Sequence, residues 1–342
     1  MKATIFRQHG GAEVLEYADV DEPRIRANEV LVEVRACALN HLDVWTRKGL
    51  PGIEIPLPHI LGNDIAGVVR EVGEVVDWVR PGDEVLLQPG VSCGHCADCL
   101  RGRDNLCAAY DMLGYRRDGG YAQLVAAPAV NVIRKPQSLS WEEAAALPLV
   151  TVTAWHMLVT RAGVQPGEDV LIHAAGSGVG SIGIQIAKLR GARVIATAGS
   201  DEKLERARSL GADEVVNYTR ADWPKEVRRL TNKKGVEVVF EHTGAETWPG
   251  SITSLARDGR LVTCGATSGY EARTDLRQVF YRHLSLLGSF MGSKAELLDA
   301  MKFVERGQIR AVVDRTLPLA EARRAHELME DRAQFGKLVL VP

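Results

Sequence analysis

The sequence carries almost no net charge: 42 Lys and Arg stand against 44 Asp and Glu, a formal balance of −2. A chain so balanced has no basic field to draw in nucleic acid or an anionic membrane surface. The charges are mixed along its length, and no acidic or basic tail appears. No uncharged apolar run reaches the roughly 18 residues that a spanning helix needs. The opening stretch "MKATIFRQHGGAEVLEYADV" has no apolar core of the kind a secretory signal carries. There is no internal repeat and no low-complexity segment. Cysteine is scarce, six in 342 residues. These absences lead to the expectation of a cytoplasmic protein that acts on a small molecule, with neither nucleic acid nor membrane as partner. In a reducing compartment, clustered cysteines are read as a metal site rather than as disulfides.

What is present begins with size. At 342 residues, 46% hydrophobic and 25% charged, the chain is globular and too long for one ordinary core, which suggests two domains of roughly 150 residues. The first 130 residues or so read as short strands between turns. "EVLVEVRACAL" alternates, "DIAGVVREVG" is apolar with a glycine kink, and "RPGDEVLLQPG" is punctuated by Pro-Gly at both ends. Such spacing predicts a small β-barrel or rolled sheet. From about Trp141 the texture changes to a helix-forming apolar stretch, and then to a regular alternation. "DVLIHAAG", "ARVIATAGS", "DEVVNY", "VEVVFEHTG" and "GRLVTCGATSG" read as strands, with helical segments such as "VGSIGIQIAKLRG" and "DEKLERARSLGA" between them. A βαβα series predicts a parallel sheet with helices on both faces. The tail, "RTLPLAEARRAHELMEDRAQFGKLVLVP", adds a strand, an amphipathic helix and a final strand that pack back on the first domain.

"IHAAGSGVGSIG" joins the first strand of the alternating half to a helix. Small residues at Ala175, Gly176, Ser177, Gly178, Val179 and Gly180 let a pyrophosphate approach the backbone, and the helix N-terminus offers unpaired N–H groups. The sequence therefore predicts a bound dinucleotide. At the tip of the second strand, an NAD-preferring fold places an acidic residue for the ribose 2′-hydroxyl. Here Ala198 and Gly199 stand in that place, with Ser200, Lys203 and Tyr218 available to a 2′-phosphate. NADP(H) is expected over NAD(H).

Four of the six cysteines, Cys93, Cys96, Cys99 and Cys107, fall in "SCGHCADCLRGRDNLC" with spacing C-x2-C-x2-C-x7-C. A bacterial ferredoxin run would continue x3-C-P, and a nucleic-acid-binding ribbon would have two separated C-x2-C pairs. Four thiolates on a tight loop suit one tetrahedral Zn²⁺, and with every position sulfur no place is left for water or substrate. The expected zinc is structural.

In this order, the features resemble the medium-chain zinc alcohol dehydrogenase and quinone reductase superfamily. The resemblance spans the chain and is carried by "ILGNDIAGVVREVG", "RPGDEV", the cysteine lobe, "IHAAGSGVGSIGIQIAK" and "GKLVLVP". It implies an α/β protein with a GroES-like β-barrel catalytic domain over 1–147, its zinc lobe at about 88–110. A doubly wound Rossmann domain over 148–288 and a returning segment over 289–342 complete the expected organisation. Thr153, Thr243, Cys264, Gly265 and Lys337 take cofactor-binding positions by the same resemblance. Relatives pair through the last Rossmann strand, here near "LSLLGSFMG", so a homodimer or homotetramer is implied.

The zinc enzymes of that superfamily hold a second, catalytic zinc through an early cysteine, the His of a His-Glu pair after "LG", and a later cysteine. Here those places read Asn40, Asn63-Asp64 and Leu149; carboxamides and an aliphatic side chain are poor zinc ligands, and one carboxylate cannot hold the metal alone. A site rearranged from Cys37, His41, His59 and Asp64 is the alternative. Without a Lewis acid, hydride transfer is best suited to an already activated acceptor, a quinone or α,β-unsaturated carbonyl compound, whose oxyanion is stabilised by hydrogen bonds. In this reading Asn40 donates to the substrate oxygen, His41 supplies the proton, Asp43 orients the loop and Asp64 forms a polar wall. Trp45, Trp155 and His156 suggest apolar or aromatic pocket surface. The alternatives are an alcohol or aldehyde dehydrogenase with no catalytic zinc or a rearranged one, and a non-enzymatic cofactor-binding protein.

Overall fold

A computed structural model describes residues 1–342. The chain divides into two units. One comprises Met1–Leu149, Ser293–Leu298 and Ala311–Pro342, and the other Val150–Gly292 and Asp299–Arg310.

The first unit is built around the strand Glu29–Ala38, whose β-branched and small residues are almost all buried because three other strands pair with it. It runs antiparallel to Asp64–Val72, to Leu124–Pro128 and to the last strand, Lys337–Val341. The sheet continues outward through Glu84–Leu87 and Val132–Arg134 on one side and Val313–Pro318 on the other, seven strands in all. The glycine kink read in "DIAGVV" has a steric cause, since a Cβ placed on Gly67 would lie 2.1 Å from the Glu33 carbonyl oxygen. Phe6, Leu39, Leu61, Ile65, Tyr121 and Leu338 belong to the core beneath this sheet. A three-stranded sheet, Glu16–Asp19, Lys2–Phe6 and His59–Ile60, completes the unit together with the cysteine lobe.

The second unit is a six-stranded parallel sheet. Across it the strands run Glu214–Asn217, Arg193–Ala198, Asp169–Ile172, Val236–Glu241, Leu255–Thr263 and Ser285–Gly288. In chain order that is 3-2-1-4-5-6, the doubly wound arrangement in which ligands bind beyond the carboxyl ends of the strands where the order reverses. The helix Gly178–Leu189 packs so closely that a Cβ on Gly183 would meet the Phe240 ring at 3.3 Å. Residues 299–310 group with this unit, although the sequence reading joined all of 289–342 to the other. The Gln185 side chain bonds both the N–H and the carbonyl of Arg310, at 2.8 and 3.0 Å, and the Trp155 ring lies 5.5 Å from that of Phe303. That contact makes Trp155, only 9% exposed, a core residue rather than pocket wall.

His173, just past the first parallel strand, is buried with Nδ1 3.1 Å from Thr197 Oγ1 and Nε2 3.0 Å from Ser251 Oγ. Ser251 donates its one hydroxyl hydrogen to Glu241 at 2.7 Å, so Nε2–H must donate to Ser251 and Nδ1 accept from Thr197. Burial lowers the His173 pKa to about 4, against the pull of the Glu241 charge. The unfolded imidazole, with its ordinary value of 6.5, binds a proton first as pH falls. This contribution to stability is complete above pH 6.5 and is lost on descent toward pH 4. Urea midpoints measured across that window are expected to fall more steeply for the native chain than for His173→Gln.

Candidate active site

The register of three neighbouring strands brings together residues that are far apart in sequence. Ala38 pairs with Asp64 on one side and with Val339 on the other, and Leu39 N–H donates to Leu338 O at 2.9 Å. Asn40, Asp64 and Lys337 therefore meet at one end of these strands. Lys337 Nζ donates to Asn40 Oδ1 at 2.6 Å and to Asp64 Oδ2 at 2.9 Å, and Asn40 Nδ2 donates to Asp64 Oδ2 at 2.9 Å. Leu149 contributes its backbone N–H to Asp64 Oδ1 at 2.7 Å. Their exposures of 7%, 0% and 3% leave the ion pair little water, so these partners supply nearly all its solvation.

The sequence reading made Asp64 a polar wall and placed Lys337 with the cofactor residues. Asp64 is instead wholly buried, and two of the three Lys337 ammonium hydrogens are committed to Asn40 and Asp64. The cause is the tail strand, which delivers a cation to a carboxylate that has no other. Asn63 turns its amide nitrogen to the Leu113 carbonyl, and its Oδ1 is buried without a partner.

Asp43 lies in the first turn of the helix His41–Lys48 and accepts from Asn40 N at 2.7 Å and from Gly62 N at 3.0 Å. It joins the start of that helix to the "LGND" turn. Burial raises its pKa to about 7, while the two N–H donors pull it down. His41 opens the helix, half-buried, with its ring 6.1 Å from that of Trp45, which is also half-buried.

Cys37, His41, His59 and Asp64 do not form one group of converging ligand atoms in this structure. Cys37 is fully buried with its thiol pKa well above the ordinary value, burial being the main cause, and His59 lies beside Asp118 at 3.5 Å with its ring against Phe6. The ligand atoms that do converge are the sulfurs of Cys93, Cys96, Cys99 and Cys107, all within 4.8 Å of one another. Four bonds of about 2.3 Å to a tetrahedral zinc require sulfurs roughly 3.8 Å apart, and Cys93 and Cys99 are at 3.9 Å. Backbone N–H groups of Cys96 and Cys93 point at Cys93 Sγ and Cys107 Sγ at 3.4 and 3.5 Å, a donor environment suited to thiolates. The cluster fits a structural zinc.

In the second unit, the glycine loop, Thr243, Cys264 and Gly265 follow the carboxyl ends of the three adjacent strands Asp169–Ile172, Val236–Glu241 and Leu255–Thr263. Ser177 caps the helix Gly178–Leu189 by accepting from Gly180 N at 2.8 Å, and a Cβ on Gly180 would lie 2.5 Å from Ala174 O. Ala175 is anchored to the second strand through Thr197 O at 2.9 Å, which leaves Gly176 and Val179 on the turn and first helical turn. These residues fit a dinucleotide pyrophosphate. At the second strand tip, Ser200 caps the next helix by accepting from Lys203 N at 3.3 Å, and a Cβ on Gly199 would meet the Tyr218 hydroxyl at 2.7 Å. Ser200, Lys203 and Tyr218 thus share one corner. Thr153 is buried against Met291, Oγ1 to Sδ 4.0 Å.

Sequence reasoning missed the Leu149 N–H and the pairing of Lys337 with Asp64. A single lysine opening the apolar run "KLVLV" was the available signal, because a charge in a central strand calls for a buried partner. Replacing Lys337 by Met leaves that partner, Asp64, unpaired; an uncompensated buried charge costs about 3–5 kcal/mol. The double variant Lys337→Met/Asp64→Leu is expected to recover most of that loss in urea titrations.

Comparison with known proteins agrees with this architecture. Residues 26–137 match the alcohol dehydrogenase GroES-like domain family and residues 178–306 the zinc-binding dehydrogenase family. A zinc-type alcohol dehydrogenase-like protein of Schizosaccharomyces pombe is 33% identical, with 99% of each chain covered. A quinone oxidoreductase of Salmonella typhimurium is 32% identical over 98% of each chain. The crystal structure of an NAD-dependent alcohol dehydrogenase superimposes with a TM-score of 0.97 at 54% identity, with both chains fully covered. The chain is an oxidoreductase belonging to the medium-chain dehydrogenase/reductase superfamily, with its GroES-like domain and Rossmann-type parallel sheet.

Proposed function

We propose that this protein is an NADP(H)-dependent reductase of quinones or α,β-unsaturated carbonyl compounds that works without a catalytic zinc. The observation that carries the reading is the Lys337 ammonium bonded to Asn40 and Asp64. Two of the three family ligand places hold carboxamides and the third an aliphatic side chain, and a cation already neutralises Asp64. A zinc ion there would find no thiolate or imidazole and would face the ammonium charge. The residues do not fit it.

Bound NADPH supplies the hydride. The chain's own residues then have to stabilise the oxygen that becomes negative and provide one proton. Asn40 keeps a second amide hydrogen and Lys337 a third ammonium hydrogen, and both groups are fixed by their buried partners rather than by solvent. Donors held in place before reaction are what stabilise a developing oxyanion. Asp43, bonded to Asn40 N, holds the loop that carries this amide. His41, at the start of the same helix, supplies the proton.

The absence of a carboxylate at Ala198–Gly199, with Ser200, Lys203 and Tyr218 in one corner, supports NADP(H) over NAD(H). The lobe of Cys93, Cys96, Cys99 and Cys107 is assigned one structural zinc. The last strand of the parallel sheet, Ser285–Gly288, is exposed at the edge, with Leu286 38% and nearby Phe290 56% exposed. That unpaired apolar edge supports a homodimer or a homotetramer. No helix is long and apolar enough to cross a membrane, and we assign the protein to the cytoplasm.

The second reading, an alcohol or aldehyde dehydrogenase, is favoured by the solved NAD-dependent alcohol dehydrogenase at 54% identity. Two measurements decide between them. Elemental analysis is expected to give one zinc per chain, lost in Cys99→Ser. Cofactor oxidation is expected with a quinone or an enone, faster with NADPH than NADH, and not with a simple aldehyde. Two zincs and aldehyde turnover would establish the second reading instead. For His41→Ala, kcat with the accepted substrate is expected to fall about 10²-fold, and an undiminished kcat would remove the histidine from the mechanism.

A further inference from the structure

The sheet unit holds a second buried network to which the reductase reading assigns no part. Arg47, at 0% exposure, lies on the helix His41–Lys48. Its Nε donates to Gly10 O at 3.3 Å, its Nη1 lies 3.1 Å from His326 Nδ1, and its Nη2 donates to the Glu330 carboxylate, which Lys48 also meets at 2.6 Å. His326 and Glu330 belong to the tail helix Ala322–Glu330. The other ring nitrogen of His326, Nε2, is 3.2 Å from the Tyr121 hydroxyl, and Asp43 acts after burial to hold the phenol pKa well above its ordinary value. His326 and Tyr121 are both wholly buried.

The chemistry of the first link sets the direction of the rest. A guanidinium has donors only, so His326 Nδ1 accepts. Burial and then the adjacent Arg47 charge lower the His326 pKa to about 3, so the ring is neutral and its hydrogen sits on Nε2. That N–H donates to the Tyr121 oxygen, which leaves the phenolic hydrogen for Asp43. The donors point one way, from Arg47 on the first helix, through the tail helix, toward the carboxylate beneath Asn40. Asp43 also faces Lys337, Asp64 and Cys37, and His326 faces Lys48 and Glu330 as well. The Tyr121 ring is held under the turn it serves. Gly62 has φ +104°, and a Cβ there would lie 2.6 Å from Tyr121 Cδ1.

We propose that Arg47 and His326 are positioning residues that aim the Tyr121 hydroxyl at Asp43 and thereby fix the backbone of Asn40 and Gly62, which sets the Asn40 amide. The catalytic consequence rests on the reductase reading. The positioning itself does not, and it is measured separately. Amide hydrogen exchange of the full-length protein, resolved at Asn40 and Gly62, reads the two N–H groups that Asp43 accepts. In Tyr121→Phe and in His326→Phe, exchange at these amides is expected to rise about 10-fold, while Val32 and Val34 in the central strand stay at the native rate. His326→Gln, which can both accept from Arg47 and donate to Tyr121, is expected to return exchange close to native. The double variant Tyr121→Phe/His326→Phe is expected to be no faster than either single one, because both cut the same chain. Native exchange at Asn40 and Gly62 in both single variants would overturn the proposal. So would acceleration spread equally over the whole sheet, or additive effects in the double variant. For whichever acceptor the native enzyme reduces, kcat is expected to fall in Tyr121→Phe with NADPH affinity unchanged. If it reduces none, the reductase reading fails while the exchange data still decide the positioning.

Discussion

A fully buried carboxylate is the constraint around which the sheet unit is organised. Asp64 opens a central strand with no water to solvate it, and an ionised carboxylate in such a place requires a counter-charge and hydrogen bonds to both oxygens. Lys337, Asn40 and the Leu149 N–H meet that requirement at 2.7–2.9 Å. Three separated stretches of chain must therefore be in register at once. The terminal strand cannot slip by one residue, because the lysine would then point to the opposite face. Asn40 and the Leu149 backbone, two of the places read from the sequence against the family's zinc ligands, are tied into the same arrangement.

Charge also gives the region a polarity. Two cations, Lys337 and Arg47, lie buried in this unit and are answered by Asp64 and Glu330 respectively. Between them the side chains have little choice of proton position, because each guanidinium or ammonium hydrogen forces its neighbour to accept. A neutral imidazole, a phenol and a carboxyl group are ordered by that rule alone. The Rossmann unit contains a comparable case, where Glu241 takes the Ser251 hydrogen and so decides which nitrogen of His173 donates. In both units buried histidines serve as fixed hydrogen-bond connectors, not as titrating groups near neutral pH.

How much of this was legible beforehand differs between the units. The alternation from Asp169 onward, the glycine loop and the four-cysteine spacing are local patterns, and each is read from residues a few positions apart. The six-stranded order and the converging sulfurs follow from them. The grouping of residues 299–310 is accompanied instead by Gln185 reaching the Arg310 backbone across 125 residues, a separation over which no periodicity speaks. Trp155 was read as pocket surface, and its contact with Phe303 places it in the core.

The same division holds for the site. Sequence alone supplied the reading that Asn40, Asn63 and Leu149 stand at the family ligand places, because identity at a position is a property of the chain. It also determined the residues suited to a pyrophosphate and to zinc, since turns, helix starts and short cysteine spacings are built by near neighbours. Tertiary structure decided what surrounds Asn40 and Asp64. Lys337 stands 273 residues from Asp64, and although a lysine opening "KLVLV" calls for a buried partner, nothing local says which residue that partner is. Only the pairing of the final strand with Glu29–Ala38 turns it into the counter-ion of a buried carboxylate, because strand register, unlike local pattern, is set by the packing of the whole sheet.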